Sequence, residues 1–435
     1  MQVFSRNRAL VALACVFTAA FAAQPAAAQT SPGTVLFSRT TWGLIDGFVS
    51  PTPIGSTIFS IGDDGLHERQ LAPYAKGVFN MPSVAGYEGS WLTNAFSPNG
   101  TYSIFLQASS TLPVYDDATY HGKYFIVNAY GQRTSPMFYG ADDLQRPIDG
   151  PSYGSVAWGP AGNNQIAYAN AADERAGKHP PCIRLMRSTG ANNHILWCAS
   201  RWYYRGIEAI RWSGDGSKLL AYAVRTDRFE NPEADLYLID ATAGVATLVE
   251  ANIRAPYVGW GVGDISYDGH EVVYGVVYDT HDPGPCNVAT NGGDVVWCAR
   301  NMLTGQTVAL TDPHKVVRLG FQSQALLSPD GSQAFLGGTT TFGATHPETE
   351  IYAVKTDGSG LRKITQPCVT MDANTSLWWS AVRVSPDGTR MLANCHTEHY
   401  PPAPVVRMDR IEVVSLLDGS ARFVTNGVAY DWHTP

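Results

Sequence analysis

The sequence predicts an all-β fold, a seven-bladed β-propeller of four-stranded antiparallel blades whose ring is closed by the C-terminal strand. Three observations predict it. Turns of one type recur at Ser97-Pro98-Asn99-Gly100, Gly159-Pro160-Ala161-Gly162, Gly214-Asp215-Gly216, Tyr267-Asp268-Gly269, Ser328-Pro329-Asp330-Gly331 and Ser385-Pro386-Asp387-Gly388, with closing glycines 62, 54, 53, 62 and 57 residues apart. A steady period of this length marks a repeated supersecondary unit. Each turn separates a short apolar run, such as Ala209-Ile210-Arg211-Trp212 or Ala325-Leu326-Leu327, from a strand rich in β-branched and aromatic residues. Finally, Val428-Ala429-Tyr430-Asp431-Trp432 near the chain end resembles the run before each turn, notably Val156-Ala157-Trp158.

The elements follow in order. Proline presets φ near −65°, Asp or Asn bonds local amides, and glycine takes a positive φ without steric cost, so each turn reverses one strand into the next. The first unit, from Thr34 to about Pro73, holds Val35-Leu36-Phe37-Ser38, Thr57-Ile58-Phe59-Ser60-Ile61 and His67-Glu68-Arg69-Gln70-Leu71, with no inner strand before it. The chain end supplies that strand and removes two open edges. Strands after the turns include Tyr102-Ser103-Ile104-Phe105-Leu106, Gln165-Ile166-Ala167-Tyr168 and Glu271-Val272-Val273-Tyr274. An outer hairpin completes the unit, as in Ile351-Tyr352-Ala353-Val354-Lys355, Thr356-Asp357-Gly358-Ser359-Gly360 and Leu361-Arg362-Lys363-Ile364-Thr365. Six complete units and one composite make seven blades.

Ser-Pro-Asp-Gly between inner strands, and Ile-Tyr-x-Val-x-x-Asp-Gly-Ser-Gly-Leu-Arg-x-Ile-Thr between outer ones, resemble the TolB-type (WD-repeat-like) β-propeller repeat of bacterial envelope proteins over about residues 34 to 435. The resemblance implies the fold. It does not imply one function, since such repeats serve TolB, prolyl peptidases, oligogalacturonate lyases and other secreted proteins. TolB adds an N-terminal α/β domain, whereas the repeats here begin soon after the N-terminus, so its role in envelope translocation is not implied, and no residues are left for a prolyl peptidase's hydrolase domain.

Residues 1–28 read as a signal peptide: Arg6 and Arg8 precede an apolar run from Ala9 to Ala23, and Ala26-x-Ala28 fits cleavage before Gln29. Residues 29–435 are then one propeller domain, periplasmic or secreted and expected as a monomer, with no membrane span. Taking two arginines from the 30 basic residues leaves 28 against 38 acidic ones, a net charge of −10, which argues against nucleic acid as a partner. Of seven cysteines, Cys15 leaves with the signal. The other six allow 15 connectivities. Placed on the propeller, nearest neighbours pair as Cys182–Cys198, Cys286–Cys298 and Cys368–Cys395, all on the face of the longer loops.

That face is where a site is expected, because loops on a rigid scaffold carry binding residues. His281, His346 and His396 fall in loops between second and third strands, as do His121, His179 and His399. Oligogalacturonate lyases bind a divalent metal through histidines near the channel mouth, but that ligand set cannot be placed here residue by residue, and no cofactor is expected. Trp202, Tyr203, Trp260, Trp378 and Trp379 cluster before inner strands, with Arg205 nearby. They suit stacking on sugar or peptide, or else wedge-filling between blades. Gly150-Pro151-Ser152-Tyr153-Gly154 lacks the strand-turn-helix context of a nucleophile elbow. His396-Thr397-Glu398-His399 runs into Tyr400-Pro401-Pro402, which precludes a zinc-binding helix. The expectation is a non-catalytic propeller binding a protein or carbohydrate partner. The alternatives are a carbohydrate-active lyase or hydrolase with a metal-assisted site at the channel mouth, and an accessory protein without a soluble ligand.

Overall fold

The repeated turn is built around a serine. In the computed structural model, which describes residues 33–43, 52–72, 78–81, 95–109, 121–138, 148–149, 156–160, 165–170, 180–200, 204–225, 233–254, 263–277, 295–311, 325–338, 348–369, 375–399 and 406–434, Ser97, Ser213, Ser266, Ser328 and Ser385 each donate Oγ–H to the Asn or Asp two residues on, at 2.5–2.8 Å. The same Oγ accepts the amide five residues on, at 2.9–3.0 Å. Gly100, Gly216, Gly269, Gly331 and Gly388 sit at φ 67–73°, where a side chain would be strained. Ser213 and Ser266 thus complete turns whose sequence signature was read only from the following residues. The turn at Gly159-Pro160 runs into residues outside the described set, and residues 1–28, read from sequence as a signal peptide, lie outside it.

Among the described residues every regular element is a strand, and all of them belong to the unit Pro32–Pro435. Four antiparallel strands follow in chain order in Val156–Trp158, Gln165–Asn170, Cys182–Arg187 and His194–Cys198. The order repeats in Tyr204–Trp212, Lys218–Arg225, Glu233–Asp240 and Ala246–Arg254, and in Asp264–Ile265, Glu271–Val277, Val295–Asn301 and Thr307–Ala309. It repeats again in Ala325–Leu327, Gln333–Gly338, Glu348–Lys355 and Arg362–Lys363, and in Thr375–Val384, Arg390–His399, Val406–Ser415 and Ala421–Asn426. Nearer the N-terminus a bridge at Phe96 to Ser103 precedes Tyr102–Ser109, His121–Asn128 and Arg133–Phe138. Val428–His433, the predicted closing strand, lies antiparallel to Thr34–Gly43 with Trp432 opposite Val35. Thr52–Gly62 and Arg69–Gln70 continue that sheet outward.

Alternation along a strand sends successive side chains to opposite faces, and both faces are buried. Leu36 packs with Ile58, Phe105 and Trp158, while its neighbours Val35 and Phe37 pack with Val382, Leu392 and Trp432. Inner strands therefore read as continuous apolar runs. Trp212 fills a further gap between sheets, packing with Ala167 and Ile210 and donating Nε1–H to Ala157 O at 3.2 Å. Removing one such aromatic side chain costs about 3–5 kcal/mol.

Donation from Ser266, Ser328 and Ser385 holds the carboxyls of Asp268, Asp330 and Asp387 below their ordinary value. A depressed folded pKa contributes stability above the unfolded value, about 3.9 for Asp, that is lost as pH falls through the folded value. The double variant Asp330→Asn, Asp387→Asn should melt lower than the native chain at pH 7 and lose less Tm between pH 5 and pH 2. Parallel melting curves across that range would show an error in this account.

Candidate functional site

Of the residues singled out from sequence, Trp202, Tyr203, Trp260, His281 and His346 lie outside the described residues, and so does the side chain of Arg205 in the strand Tyr204–Trp212. The other three lie in strands and not in loops. Trp378 and Trp379 belong to the inner strand Thr375–Val384, and His396 to Arg390–His399. The ladder continues through this region, with Thr375 opposite His399, because alternate residues Met391, Ala393 and Cys395 are wholly buried and keep the strand in register. Trp379 is 1% exposed and packs against Leu377, Ala393 and Cys395. It is a wedge between sheets, so its place as a binding residue is corrected.

Two of the expected bridges are present. Cys182–Cys198 links residues directly opposite in one hairpin, and Cys368–Cys395 ties the segment before the inner strand to mid-strand in Arg390–His399. Cys298 is also disulfide-bonded; its expected partner Cys286 lies outside the described residues.

Trp378 and His396 are register partners, and their rings stack at 5.4 Å with 19° between planes. Next along the same line, His396 lies opposite Asp409. Its Nδ1 meets Asp409 Oδ1 at 2.7 Å and its Nε2 meets Ser380 Oγ at 3.2 Å. A carboxylate only accepts, so Nδ1 carries the proton, and in the neutral ring Nε2 accepts from Ser380. His396 is 1% exposed and Ser380 9%, whereas Trp378 is half-buried. The polar face continues at Asn394, whose amide group receives Ala429 N–H at 2.7 Å and donates to Ala429 O at 3.1 Å. Beside it, burial and the Asp409 charge push the Tyr430 hydroxyl well above its ordinary value, and that hydroxyl is bonded to Ser38 Oγ.

Ser380 and Asp409 were missed in the sequence. Their signal is a polar residue at every second position of strands whose other residues are core: Ser380 on one, Asn394 and His396 on the next, Asp409 on the third. Hydroxyl, imidazole and carboxylate stand in the order of a nucleophile, its base and the base's orienter. The same order also works as a buried polar lock between sheets.

A second constellation lies at the inner strand ends, two residues before each turn. Arg211, Asp264 and Arg383 hold this place before Ser213, Ser266 and Ser385, and Asp431 holds it in the last strand. Asp431 Oδ2 accepts Ala95 N–H at 2.7 Å and Phe96 N–H at 3.0 Å, while Oδ1 pairs with Arg383. Asp264 Oδ2 accepts Leu327 N–H at 2.8 Å. Among the described residues no group of three His, Cys, Asp or Glu side chains is placed to hold a metal ion, and no helix is long and apolar enough to cross a membrane.

No family model and no curated protein matches the chain. Solved structures do. A post-proline cleaving enzyme from Rickettsia typhi is similar at TM-score 0.51 and 9% identity, over 93% of this chain and 54% of that one, so the chain spans about half of that enzyme. A structure assigned as TolB from Agrobacterium tumefaciens is similar at TM-score 0.38 and 15% identity over 66% of this chain and 86% of that one. The β-propeller domain of the trilobed protease from Pyrococcus furiosus is similar at 0.42 and 13% over 77% and 93%. Identities this low speak to fold alone. The repeated four-stranded antiparallel sheets are those of a β-propeller fold.

If the array is a lock, Asp409→Ala leaves a buried imidazole without its acceptor and should cost about 1–3 kcal/mol, with Ser380→Ala costing less. Denaturant midpoints compare them directly. Equal midpoints for Asp409→Ala and the native chain would mean that the His396–Asp409 contact carries no stability.

Proposed function

We propose that the chain is an exported, non-catalytic propeller of seven blades that binds a partner through its long-loop face, with a glycan as the first class to test and a protein as the second. Seven inner elements support the count: Val428–His433, the Phe96 bridge, Val156–Trp158, Tyr204–Trp212, Asp264–Ile265, Ala325–Leu327 and Thr375–Val384. Disulfides suit an oxidising compartment and so an exported chain with a leader removed near Ala28. Deleting residues 426–435 should then lower the stability of the whole domain and not of one sheet.

One observation carries the binding reading. Trp378 lies near the start of its inner strand, remote from the tight turn, half-buried, and stacked on an imidazole both of whose nitrogens are engaged. The indole plane is therefore fixed in advance, and preorganised aromatic surface is what stacking on a sugar or a peptide uses.

A second reading is favoured by the Ser380–His396–Asp409 order, which would serve a hydrolase better than the metal-assisted lyase. Against it stands the burial of His396, which leaves a substrate no approach to the base. An array of neutral and uronate oligosaccharides, with Trp378→Ala as control, tests both. The native chain should be retained on a sugar class, and the variant should bind at least about tenfold more weakly at an unchanged Tm. Retention on no glycan moves the reading to a protein partner. Turnover abolished by Ser380→Ala replaces it with the hydrolase.

A further inference from the structure

Among the described residues, Arg211 is the buried arginine that the fold satisfies least. Its side chain is 8% exposed, its nearest carboxylate oxygen is Asp264 Oδ1 at 3.6 Å, and its Nε is buried without a hydrogen-bond partner. Arg225, Arg300 and Arg410 also bury an unbonded Nε, but each donates through a terminal nitrogen: to Asp235 at 3.1 Å, Val249 O at 2.6 Å and Cys368 O at 3.0 Å. Among the described residues no hydrogen bond involves the Arg211 guanidinium. A buried cation so weakly paired is unfavourable unless something else supplies acceptors.

Its surroundings carry both signs of charge. Burial and, less strongly, the Arg383 guanidinium act to lower the Arg211 pKa, against the larger pull of Asp264 and smaller ones of Tyr222 and Asp431. Arg383 belongs to Thr375–Val384, which forms no ladder with Tyr204–Trp212, so the two arginines come from inner strands of separate units. Asp431 is fully engaged, and Asp264 meets Arg211 only at 3.6 Å, through the oxygen that Leu327 leaves. Asp431 spends its oxygens on Ala95, Phe96, Trp432 and Arg383, and Asp264 spends one on Leu327. Ala95 and Ala157, at the equivalent place in two other units, bring only methyl groups.

The backbone is bent to produce this. Both arginine strands shift register just before the guanidinium, between Glu208 and Arg211 and between Ala381 and Arg383. Ala209 takes φ 52°, a left-handed conformation that a non-glycine residue holds only against strain. Bulges re-aim side chains at functional sites. Two bulges on two separate inner strands aim two arginines at one region.

We propose that Arg211 and Arg383 form an oxyanion site within the central channel, near the tight-turn end, that takes a carboxylate or phosphate group, either free or carried on a larger ligand. Arg211 supplies the unsatisfied donors, and Arg383, already anchored on Asp431, supplies field and orientation. The site is separate from Trp378 and does not depend on its role.

Calorimetry and thermal shift with inorganic phosphate, galacturonate and galactose test it, using the native chain, Arg211→Met, and Arg211→Met with Asp264→Asn. Phosphate or galacturonate should bind saturably and raise Tm in the native chain, and galactose should do neither. Binding of phosphate alone identifies a free oxyanion, and tighter binding of galacturonate identifies a carried carboxylate. Both variants should lose at least about tenfold in affinity, as expected for removal of a charge-assisted contact. In the absence of anion, Arg211→Met should melt at or above the native Tm, because replacing a weakly compensated buried charge by an apolar chain of similar length relieves desolvation. A lower Tm in Arg211→Met that Asp264→Asn restores, together with no anion response in the native chain, would make Arg211 a structural ion pair and overturn the proposal. Undiminished anion binding by both variants would overturn it as well.

Discussion

Neighbouring inner strands meet through side chains, not through a backbone ladder, and the architecture depends on how that edge is satisfied. Sheets stacked face to face leave amides at the inner edge without a strand partner, and buried amides need acceptors. Asp431 and Asp264 provide them, each reaching from one inner strand to the backbone of the next: Ala95 and Phe96 in one case, Leu327 in the other. The far oxygen of each carboxylate faces an arginine from the preceding unit, Arg383 or Arg211. A carboxylate fixed at both ends pins three successive units in depth. It also gathers charge in the middle of a fold that has no other reason to hold it there.

Most of the fold was legible because the turn is chemistry repeated in sequence. Serine, an Asp or Asn two residues on and a glycine after it form a closed hydrogen-bond set, visible as letters at a steady spacing. The closing strand was legible for the same reason, as Val428 to Trp432 repeats the run before each turn and pairs with Thr34–Gly43. Strand ends over the long loops were less legible. His396 looked like a loop residue because its neighbours are polar, yet the ladder runs on to His399.

The candidate site was largely hidden. Trp378 and Trp379 are adjacent letters with opposite fates, one half-buried on a polar face and one sealed among Leu377, Ala393 and Cys395. Strand alternation decides which is which, and the register that sets it becomes known only from the paired strand. Ser380, His396 and Asp409 lie 16 and 13 residues apart in the chain and meet only across three strands. No local motif could announce them. A polar seam of this kind, facing Ala429, Tyr430 and Ser38, joins the last sheet to the first, where the two ends of the chain must find each other without a covalent connection.

Repetition and function occupy different positions of the same unit. The turn keeps its serine and its carboxylate or amide in five units, at Ser97, Ser213, Ser266, Ser328 and Ser385, because each must reverse its chain in the same way. Two residues earlier the same units carry Asp431, Ala95, Ala157, Arg211, Asp264, Leu326 and Arg383. That position faces no repeated demand, so it varies from unit to unit. A fold read from its repeat is therefore silent at the place where its chemistry is concentrated. The strained Ala209, in a strand that shifts register beside a guanidinium with no hydrogen bond among the described residues, is where the chain spends stability that the fold alone does not require.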